Sequence, residues 1–546
     1  MNQAWSRRLG GPAALVEPAR PGGRRSLRVG PRALAFLAGV VSAFAAPPWG
    51  FVPGLLAYGV VFRLVDGART DPRPLRAGFA RGWFAGAGYF LVSLWWLYEP
   101  FQVDAREQGW MAPFAVVLVS MFMALFWGAA AAAYRRLAGP WPLRALAFAA
   151  CLTLAEWLRG HLLTGFPWDL PGEAWRAGSP LSQTAALVGA YGLTWITIGA
   201  MACIFVAFEG RAGAALALSA LVALAGLDEW GRHRLAEPTS PLPGAALIRI
   251  VQPDVKQETK YDPAVFAGIV GRYVVLTQRS APRTPDLVLW PEGALPGPFE
   301  ELLAPGAWTR EEIAGALQPG EALMFGAYRF GASVKGREIA FNALMAVRKN
   351  PTGGLTPLAG YDKFRLVPFG EFMPLDSVAS RLGVKQMVHV GEGFTAGPPP
   401  QPRRLPGLPG VQPLICYEAL FPGFTRSGAR RSGWRPDWIA NLSNDAWFGH
   451  GIGPEQHLNL ASYRAIEEGL PMARATPTGV SAMIDAHGRV TARLGEGASG
   501  VIDALLPRPL PPTPYERFGD AAALLLCGLG ILAGLAGLAN RARRAA

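Results

Sequence analysis

The chain has 546 residues, of which 51% are hydrophobic and 17% charged, and its formal net charge at pH 7 is +13. A mean hydropathy of +0.21 is too high for an ordinary soluble domain, and the length is sufficient for two or three domains. The composition therefore excludes a single soluble domain and indicates a membrane protein.

Long apolar runs predict where the chain crosses the membrane. Residues 33–62 lack charge, but the turn signal "PPWGFVPG" divides them into two short helices. Uncharged runs close to the roughly 20 residues that a bilayer requires lie at 110–134, 187–208 and 521–539. Shorter candidates lie at 83–98, 145–158 and 212–227. We therefore predict a polytopic α-helical membrane domain of about eight spans, seven in residues 33–228 and one in residues 516–546.

The distribution of arginine predicts the orientation of these spans. Arginine is concentrated in the tail at 1–32, in the loop after the second span and at the C-terminus, whereas the alternate loops carry Glu99, Asp104, Glu107, Asp169 and Glu173. By the positive-inside rule both termini are then cytoplasmic, and residues 229–515 lie outside the cytoplasm. Topology and anionic lipid headgroups explain the net charge, so no nucleic-acid partner is expected. The long basic tail does not resemble a cleavable signal peptide.

Residues 245–505 alternate strand-like and helix-like segments, which predicts an α/β domain. Helical spacing of apolar residues occurs in "DPAVFAGIVGRYVVLTQRS" and "PEQHLNLASYRAIEEGL". The predicted strands are "AALIRIVQPDV", "DLVLWPEG", "EALMFGAYRF", "AFNALMAV", "VQPLICYEAL", "DWIANLSNDAWF", "PTGVSAMID" and "RVTARL". The proline-rich segment 396–410 is predicted to be a surface loop. Neither a glycine-rich phosphate loop nor a paired-cysteine zinc pattern occurs in the sequence, so no metal site is expected.

Three reactive residues lie at the end of a predicted strand or beside a turn of this domain. Glu292 follows "LVLWP", Lys363 precedes Glu371 by eight residues, and Cys416 follows "QPLI". Residues at the rim of a sheet often build sites, although a solvated charge, or for Cys416 a buried small hydrophobe, is the simpler explanation of each one alone. Together they are chemically coherent, because a carboxylate can deprotonate a thiol and a lysine can stabilise the oxyanion that forms.

Cys416 differs from the other cysteines in its predicted compartment. Cys151, Cys203 and Cys527 fall within predicted spans, which leaves Cys416 alone in the outer domain. An oxidising exterior normally pairs cysteines, so an unpaired one there indicates a reactive thiol or an intermolecular link.

These residues resemble the Glu, Lys and Cys set of the nitrilase, or carbon–nitrogen hydrolase, superfamily. With the predicted membrane domain, the chain resembles its apolipoprotein N-acyltransferase family, and the shared motifs are "GFPWDLPG", "WPEGALP", "YDKFRLVPFGEFMP", "CYEALFP", "NLSNDAWFG" and "GLPMARATPTGVSAMIDAHGRV". The resemblance implies an α-β-β-α sandwich for the outer domain. It further implies that Glu292 is the general base, Lys363 the oxyanion stabiliser and Cys416 the nucleophile.

The resemblance also implies supporting residues and marks two departures from the family pattern. The residues implied as supporting or substrate-binding are Glu371, Tyr417, Glu418, Tyr261 and Trp447. Tyr261 stands where a tryptophan is expected, and Pro477 where an asparagine is usual. Neither departure affects Glu292, Lys363 or Cys416.

The resemblance implies a ping-pong reaction at the bacterial inner membrane, with the catalytic domain in the periplasm. Cys416 takes an acyl chain from a phospholipid, typically phosphatidylethanolamine, and passes it to the N-terminal amine of a diacylglyceryl-modified apolipoprotein. No metal or organic cofactor is implied. Aromatic and apolar side chains that could wall the thioester are Phe364, Phe369, Phe372, Met373, Phe421, Phe424, Trp447 and Phe448.

Two other functions fit parts of the sequence. A membrane-tethered amidase would use the same residues on a soluble amide, but seven preceding spans exceed what a soluble substrate requires. A receptor joined to a transporter would need ionisable residues inside the spans, and Glu156 is the main example. Its position near the end of a short span predicts that its side chain snorkels to the membrane surface.

Overall fold

The computed structural model describes residues 30–137, 139, 141–334, 337–374 and 393–545. The predicted basic tail at 1–32 thus lies almost wholly outside the described residues. The first described helices are α1 (Pro31–Ala43), α2 (Leu56–Gly67), α3 (Pro74–Ser93), α4 (Ala112–Leu137), α5 (Arg144–His161), α6 (Ala185–Val206) and α7 (Arg211–Leu235). The chain ends in a long apolar helix, Ala521–Ala545. Each predicted span therefore coincides at least in part with a helix.

Five of the helical segments are long and apolar enough to cross a membrane. They are Gly109–Leu137, Arg144–Thr164, Leu181–Val206, Arg211–Leu235 and Ala521–Ala539. Helices α1 and α2 contain only 13 and 12 residues, and the N-terminal half of α3 carries Arg76 and Arg81. The membrane-protein prediction is thus supported by five helices, and the eight-span topology and its orientation stay predictions.

Glycines allow α1 and α3 to pack closely. A Cβ atom added to Gly39 would lie 1.9 Å from the carbonyl oxygen of Ala85, and one added to Gly88 would lie 2.1 Å from that of Phe36. Small residues at such crossings let helix backbones approach where lipid removes the hydrophobic drive for association. The close α1–α3 contact therefore requires glycine, which has no side chain, at positions 39 and 88.

The prediction that Glu156 snorkels is wrong. Its side chain is fully buried, accepts a hydrogen bond from Trp127 Nε1 at 2.5 Å and forms an ion pair with Arg159, one helical turn along α5. Arg159 is also buried and donates from Nη1 to the carbonyl oxygen of Phe166 at 2.5 Å. A buried carboxylate needs a partner charge, and the sequence placed that partner at i+3 on the same helix face.

The α/β domain contains two sheets in the described part of the chain. Its strands are β1 (Leu247–Gln252), β2 (Leu287–Leu289), β3 (Ala322–Val334), β4 (Arg337–Lys349), β5 (Leu355–Asp362), β6 (Val411–Ile415), β7 (Trp438–Leu442), β8 (Met472–Ala475), β9 (Ser481–Ile484), β10 (Val490–Leu494) and β11 (Gly500–Leu505). One sheet has six strands in the order β11-β1-β2-β3-β4-β5, and the other has five in the order β10-β9-β8-β7-β6. The parallel pairs β1–β2 and β2–β3 lie in the middle of the first sheet, and the parallel pairs β6–β7 and β7–β8 form the half of the second sheet that ends at the edge strand β6.

Helices cover the outer faces of both sheets. The helices of this domain are α8 (Phe266–Thr277), α9 (Phe299–Leu302), α10 (Trp308–Ala316), α11 (Phe424–Ser432), α12 (Ile452–Glu468) and α13 (Pro514–Phe518). Side chains such as Ile248 and Leu289 of the first sheet meet Ile415 and Ala440 of the second in one core. The first sheet packs outward on α8 and α10, and the second on α12. The domain is therefore the expected α-β-β-α sandwich.

Helix α12 joins the sandwich to the membrane helices. Its Arg464 is buried and lies between Glu467 Oε2, at 2.9 Å, and Glu173 Oε1, at 3.1 Å. Glu173 directly follows the "GFPWDLPG" motif in the connection between α5 and α6. Arg464 also donates from Nη1 to the carbonyl oxygen of Leu420 at 2.6 Å. One guanidinium thus binds α12, the loop that precedes α6, and the turn that follows β6.

Arg464→Met should destabilise the protein, because it leaves Glu173 and Glu467 buried without their cation. Removal of one partner from a buried pair typically costs about 3–5 kcal/mol. The measurement is the apparent Tm of the full chain in detergent micelles. The matched control is Arg493→Met, which removes an exposed pair with Glu455 of the same helix at 2.6 Å and should cost less than about 1 kcal/mol. Equal shifts of Tm for the two variants would contradict a stabilising role for Arg464.

Candidate active site

Three loop starts meet at one end of the sandwich. Glu292 lies three residues after β2, Lys363 directly follows β5, and Cys416 directly follows β6. The first two belong to the six-stranded sheet and Cys416 to the five-stranded one. Cys416 has a φ of 47°, a left-handed conformation that is uncommon for a residue with a side chain. The turn thereby presents the thiol off the end of the strand rather than along it.

Lys363 lies between two carboxylates in the interior. Its Nζ donates to Glu292 Oε1 and to Glu371 Oε1, each at 2.9 Å. Asn342 of β4 donates from Nδ2 to the same two oxygens, at 2.7 and 2.6 Å. Glu371 Oε2 accepts from the backbone N–H of Val367 at 2.7 Å. These hydrogen bonds hold both carboxylates and the ammonium in place at the rim of the first sheet.

The charges of this cluster set its protonation. Burial raises the pKa of Glu292, but the charge of Lys363 and the hydrogen bonds from Lys363 and Asn342 outweigh burial and hold that pKa below its usual value. Burial lowers the pKa of Lys363, and the charges of Glu292 and Glu371 reverse the effect and hold it above its usual value. At neutral pH the site therefore contains an ionised Glu292 and a protonated Lys363.

Cys416 is 8% exposed and its thiol is protonated at rest. Burial, followed by the negative charge of Glu292, raises the pKa of Cys416 to about 12, although the positive charge of Lys363 lowers it. Because the thiolate is the nucleophile, attack requires that the proton leave as the new bond forms. Glu292 is the carboxylate whose charge acts most strongly on the thiol.

Glu418 connects the Cys416 turn to the Lys363 loop. Its Oε1 accepts from Tyr361 Oη at 2.9 Å and from the backbone N–H groups of Phe364 and Arg365 at 2.7 and 3.1 Å. Its Oε2 accepts from the backbone N–H of Ile415 at 2.8 Å. The carboxylate is fully buried, and burial raises its pKa to about 7 against the backbone hydrogen bonds, which lower it. Only an acceptor with two free oxygens satisfies all four donors.

Glu418 does not lie beside Cys416 through strand alternation. Two residues apart, the two side chains would share one face only if the strand continued past Cys416. The strand ends at Ile415, and Cys416–Leu420 form a 3-10 turn that directs Glu418 back towards the N–H of Ile415. The left-handed conformation of Cys416 changes the direction of the chain, and no periodicity in the sequence signals it.

The remaining predicted site residues differ in their surroundings. Tyr417 is buried, donates from Oη to the carbonyl oxygen of Gly165 at 2.5 Å and thus contacts the loop from the membrane domain. Tyr261 is 66% exposed and Trp447 is 40% exposed, so neither belongs to the buried cluster. Trp447 lies in a short turn whose next residue, Phe448, packs edge-on against Trp96 at 4.7 Å. Their assignment to substrate binding stays a prediction.

The predicted wall residues fall into two groups. Phe421, Phe424, Phe448 and Met373 are buried, and Phe364 and Phe372 are half-buried. Phe369 is 53% exposed and Trp447 is 40% exposed. The buried phenylalanines share one core with side chains of the membrane helices. The turn after Cys416 therefore packs against the membrane helices, whereas Cys416 itself belongs to the core between the two sheets.

Two residues at the site were not predicted from the sequence. Asn342 lies inside "AFNALMAV", where an asparagine in an apolar strand was the available signal. Lys260 precedes Tyr261 and is 3% exposed, and its ammonium lies 6.0 Å from the ring centroid of Tyr261. Within the described ranges its side chain makes no hydrogen bond or ion pair. Burial lowers the pKa of Lys260 to about 8, and the charge of Glu292 opposes this shift. A Cβ atom added to Gly293 would lie 2.9 Å from Lys260 Nζ.

A second buried polar cluster supports the turn after β7. Asp445 accepts from Arg474 Nη2 at 2.6 Å and from Ser443 Oγ at 2.7 Å, and its Oδ1 lies 3.0 Å from His457 Nδ1. Burial and the charge of Arg474 lower the pKa of His457, so its imidazole is neutral at pH 7. In the described ranges, no group of three or more histidine, cysteine, aspartate or glutamate side chains is arranged to hold a metal ion.

Alkylation of Cys416 should increase continuously from pH 6.5 to pH 9. Below a pKa of about 12 the thiolate fraction rises about tenfold per pH unit. The measurement is the rate of iodoacetamide modification of the Cys416 peptide, by mass spectrometry, in a chain with Cys151, Cys203 and Cys527 changed to alanine. Cys416→Ala is the control for the peptide assignment. A plateau of the rate near pH 7 would show a thiolate that is already stabilised.

Known proteins resemble this chain along most of its length. Residues 38–204 match the profile described as apolipoprotein N-acyltransferase N-terminal domain, and residues 247–510 match that of carbon-nitrogen hydrolase. The apolipoprotein N-acyltransferase of Caulobacter vibrioides is 49% identical over 90% of this chain and 92% of its own. That of Rhodopseudomonas palustris is 38% identical over 91% of this chain and 93% of its own.

Among solved structures, an amidase from Nesterenkonia sp. is 19% identical, with a TM-score of 0.33, and the match covers 48% of this chain and 92% of the amidase. Identity to the curated relatives, by contrast, extends through both domains. The chain therefore belongs to the apolipoprotein N-acyltransferase family.

Proposed function

We propose that this protein transfers an acyl chain from a membrane phospholipid to the N-terminal amine of diacylglyceryl-modified apolipoproteins, through a thioester on Cys416. The observation that carries the proposal is the buried contact of Lys363 with Glu292 and Glu371, each at 2.9 Å. The charges of Lys363 and Glu292 act on the buried Cys416 thiol, which begins a turn that packs against the membrane helices. Membership of the family supports the lipoprotein as acceptor. The phospholipid donor and the thioester are the parts that this proposal adds.

In the first half-reaction, Cys416 Sγ attacks the ester carbonyl carbon of the phospholipid. The thiol proton passes to Glu292 as the S–C bond forms, and the ammonium of Lys363 stabilises the oxyanion. When the C–O bond breaks, Glu292 returns the proton to the departing alkoxide. The products are an acyl thioester and a lysophospholipid, and Glu292 is ionised again.

In the second half-reaction, the α-amine of the apolipoprotein attacks the thioester carbonyl. Glu292 takes a proton from the attacking amine, and the C–S bond breaks to give an amide. The proton then returns to the departing thiolate of Cys416. Since the thiol pKa is raised to about 12, the released sulfur is readily reprotonated. Protonation of the sulfur restores the resting site.

The architecture favours transfer over hydrolysis. Water competes with the amine for the thioester, so the site must exclude it until the acceptor arrives. Buried phenylalanines from the catalytic domain and the contact of Tyr417 with Gly165 close the Cys416 turn against the membrane domain. A soluble amide would not require this contact. We further propose that the enzyme acts in the bacterial inner membrane, with the sandwich in the periplasm and both termini in the cytoplasm.

The protein incubated with phosphatidylethanolamine alone should accumulate an acyl adduct on Cys416. The expected adduct is cleaved by neutral hydroxylamine and discharged by a diacylglyceryl peptide with a free N-terminal amine. Intact mass and peptide mass spectrometry measure both steps. Cys416→Ala should form no adduct, and a diacylglyceryl peptide with an acetylated amine should discharge none. Rapid release of free fatty acid without any acceptor would instead identify a hydrolase.

Lys363→Met should lower the rate of adduct formation about 10²- to 10³-fold, because it removes the cation that faces the oxyanion. Glu292 and Glu371 then lie close together without that cation, and we expect one of them to bind a proton, which keeps the chain folded. The matched control is Lys256→Met, an exposed lysine in the loop that carries Lys260. Rates within a few-fold of wild type for Lys363→Met, at an unchanged apparent Tm, would remove Lys363 from the mechanism.

A further inference from the structure

Arg365 lies between the catalytic loop and the membrane domain. It follows Lys363 by two residues, and its backbone N–H donates to Glu418 Oε1 at 3.1 Å. The same Glu418 holds the N–H of Ile415, which precedes Cys416. The backbone of Arg365 is therefore fixed relative to both the oxyanion cation and the nucleophile.

The guanidinium of Arg365 has no acidic partner among the residues that the structure describes. Its carbon Cζ lies over the ring of Phe421 at 4.8 Å and over that of Phe364 at 5.7 Å. Its Nη1 donates to the carbonyl oxygen of Thr164 at 3.2 Å, and no other side-chain hydrogen bond occupies the group within the described ranges. The rings hold the planar cation in place and leave most of its donors free.

The contact with Thr164 places this cation at the end of a candidate membrane span. Thr164 is the last residue of the apolar segment Arg144–Thr164, which is long enough to cross a bilayer. The end of such a segment lies near the level of the lipid headgroups. An arginine at this level, half-buried and without an acid, meets the phosphodiesters of the surrounding lipid.

We propose that Arg365 binds the phosphodiester of the acyl donor and so places its ester carbonyl at Cys416. This inference rests on the proposed acyl transfer. Guanidinium matches the geometry of phosphate through two parallel N–H bonds. In a phospholipid the phosphate and the ester carbonyl are joined through the glycerol, which matches two sites joined by the short segment Lys363–Arg365. Lys260 is a less suitable ligand, because its ammonium is almost fully buried beside Glu292.

The test compares a donor with phosphate and one without it in the same detergent micelles. The full-length wild type, Arg365→Gln and Arg365→Lys are each given phosphatidylethanolamine or p-nitrophenyl palmitate, and the rate of adduct formation on Cys416 is measured by mass. Arg365→Gln should lower the rate with phosphatidylethanolamine roughly tenfold to a hundredfold, which is the range for a lost charged hydrogen bond. The rate with p-nitrophenyl palmitate should stay within about threefold. Arg365→Lys should lie between.

The matched control is Arg404→Gln, since the guanidinium of Arg404 also lies over an aromatic ring, Trp434 at 4.3 Å, on an exposed part of the same domain. It should change neither rate. If Arg365→Gln lowered the rate of adduct formation equally with both donors, Arg365 would only hold the loop. If it lowered neither rate, Arg365 would have no part in binding. Either result overturns the inference. Inhibition of wild type by inorganic phosphate that Arg365→Gln abolishes would assign the site to free phosphate instead. Failure of wild type to form an adduct with either donor would overturn the proposed function itself.

Discussion

The carboxylate of Glu418 is the interaction on which the geometry of this site depends. It accepts from Ile415 of the five-stranded sheet, from Tyr361 of the six-stranded sheet, and from Phe364 and Arg365 in the loop that follows β5. The core between the two sheets is largely apolar and sets their separation without fixing one loop against another. Away from the Cys416 turn, Gln252 of β1 also accepts from the backbone N–H of Ser481 of β9 at 3.0 Å. Hydrogen bonds are directional, so a single buried carboxylate can fix the Cys416 turn relative to the Lys363 loop. An unsatisfied donor in this interior would be costly, which makes the arrangement specific.

The sequence predicts the strands that have uninterrupted apolar runs and does not predict those that are short or interrupted. Apolar runs that end in "WPEG" and "ICYE" correctly indicated β2 and β6. Strand β5, which directly precedes Lys363, was not predicted, because proline and glycine interrupt "LTPLAGYD". Strands β8 and β11 were missed for their shortness and for the mixed pattern of their side chains. These strands form because neighbours already in the sheet offer backbone partners. That stabilisation comes from tertiary context, and local propensity does not record it.

The site shows the same limit in its polar contacts. Glu292, Lys363 and Cys416 were chosen for their chemistry at strand ends, but Asn342 bonds to both carboxylates from the middle of β4. Its position within an apolar run is unusual, yet its partners lie 50 and 29 residues away in the chain. The burial of Glu156 was not predicted for a similar reason. Hydropathy locates the span but does not reveal the ion pair with Arg159 one turn along the same helix. A buried polar group reveals its role only with its partner.

The "GFPWDLPG" loop gains a physical role once both domains are considered. Arg159, held by Glu156 inside the membrane domain, donates to the carbonyl oxygen of Phe166, and the carbonyl oxygen of Gly165 accepts from Tyr417. A continuous set of buried bonds therefore runs from α5 to the residue after the nucleophile. Such a set resists separation of the domains, because each broken bond would leave a buried polar group unpaired. The proposed acyl transfer would require this rigidity, since a lipid ester held by the membrane would reach Cys416 only if the thiol stayed at a fixed height above the bilayer.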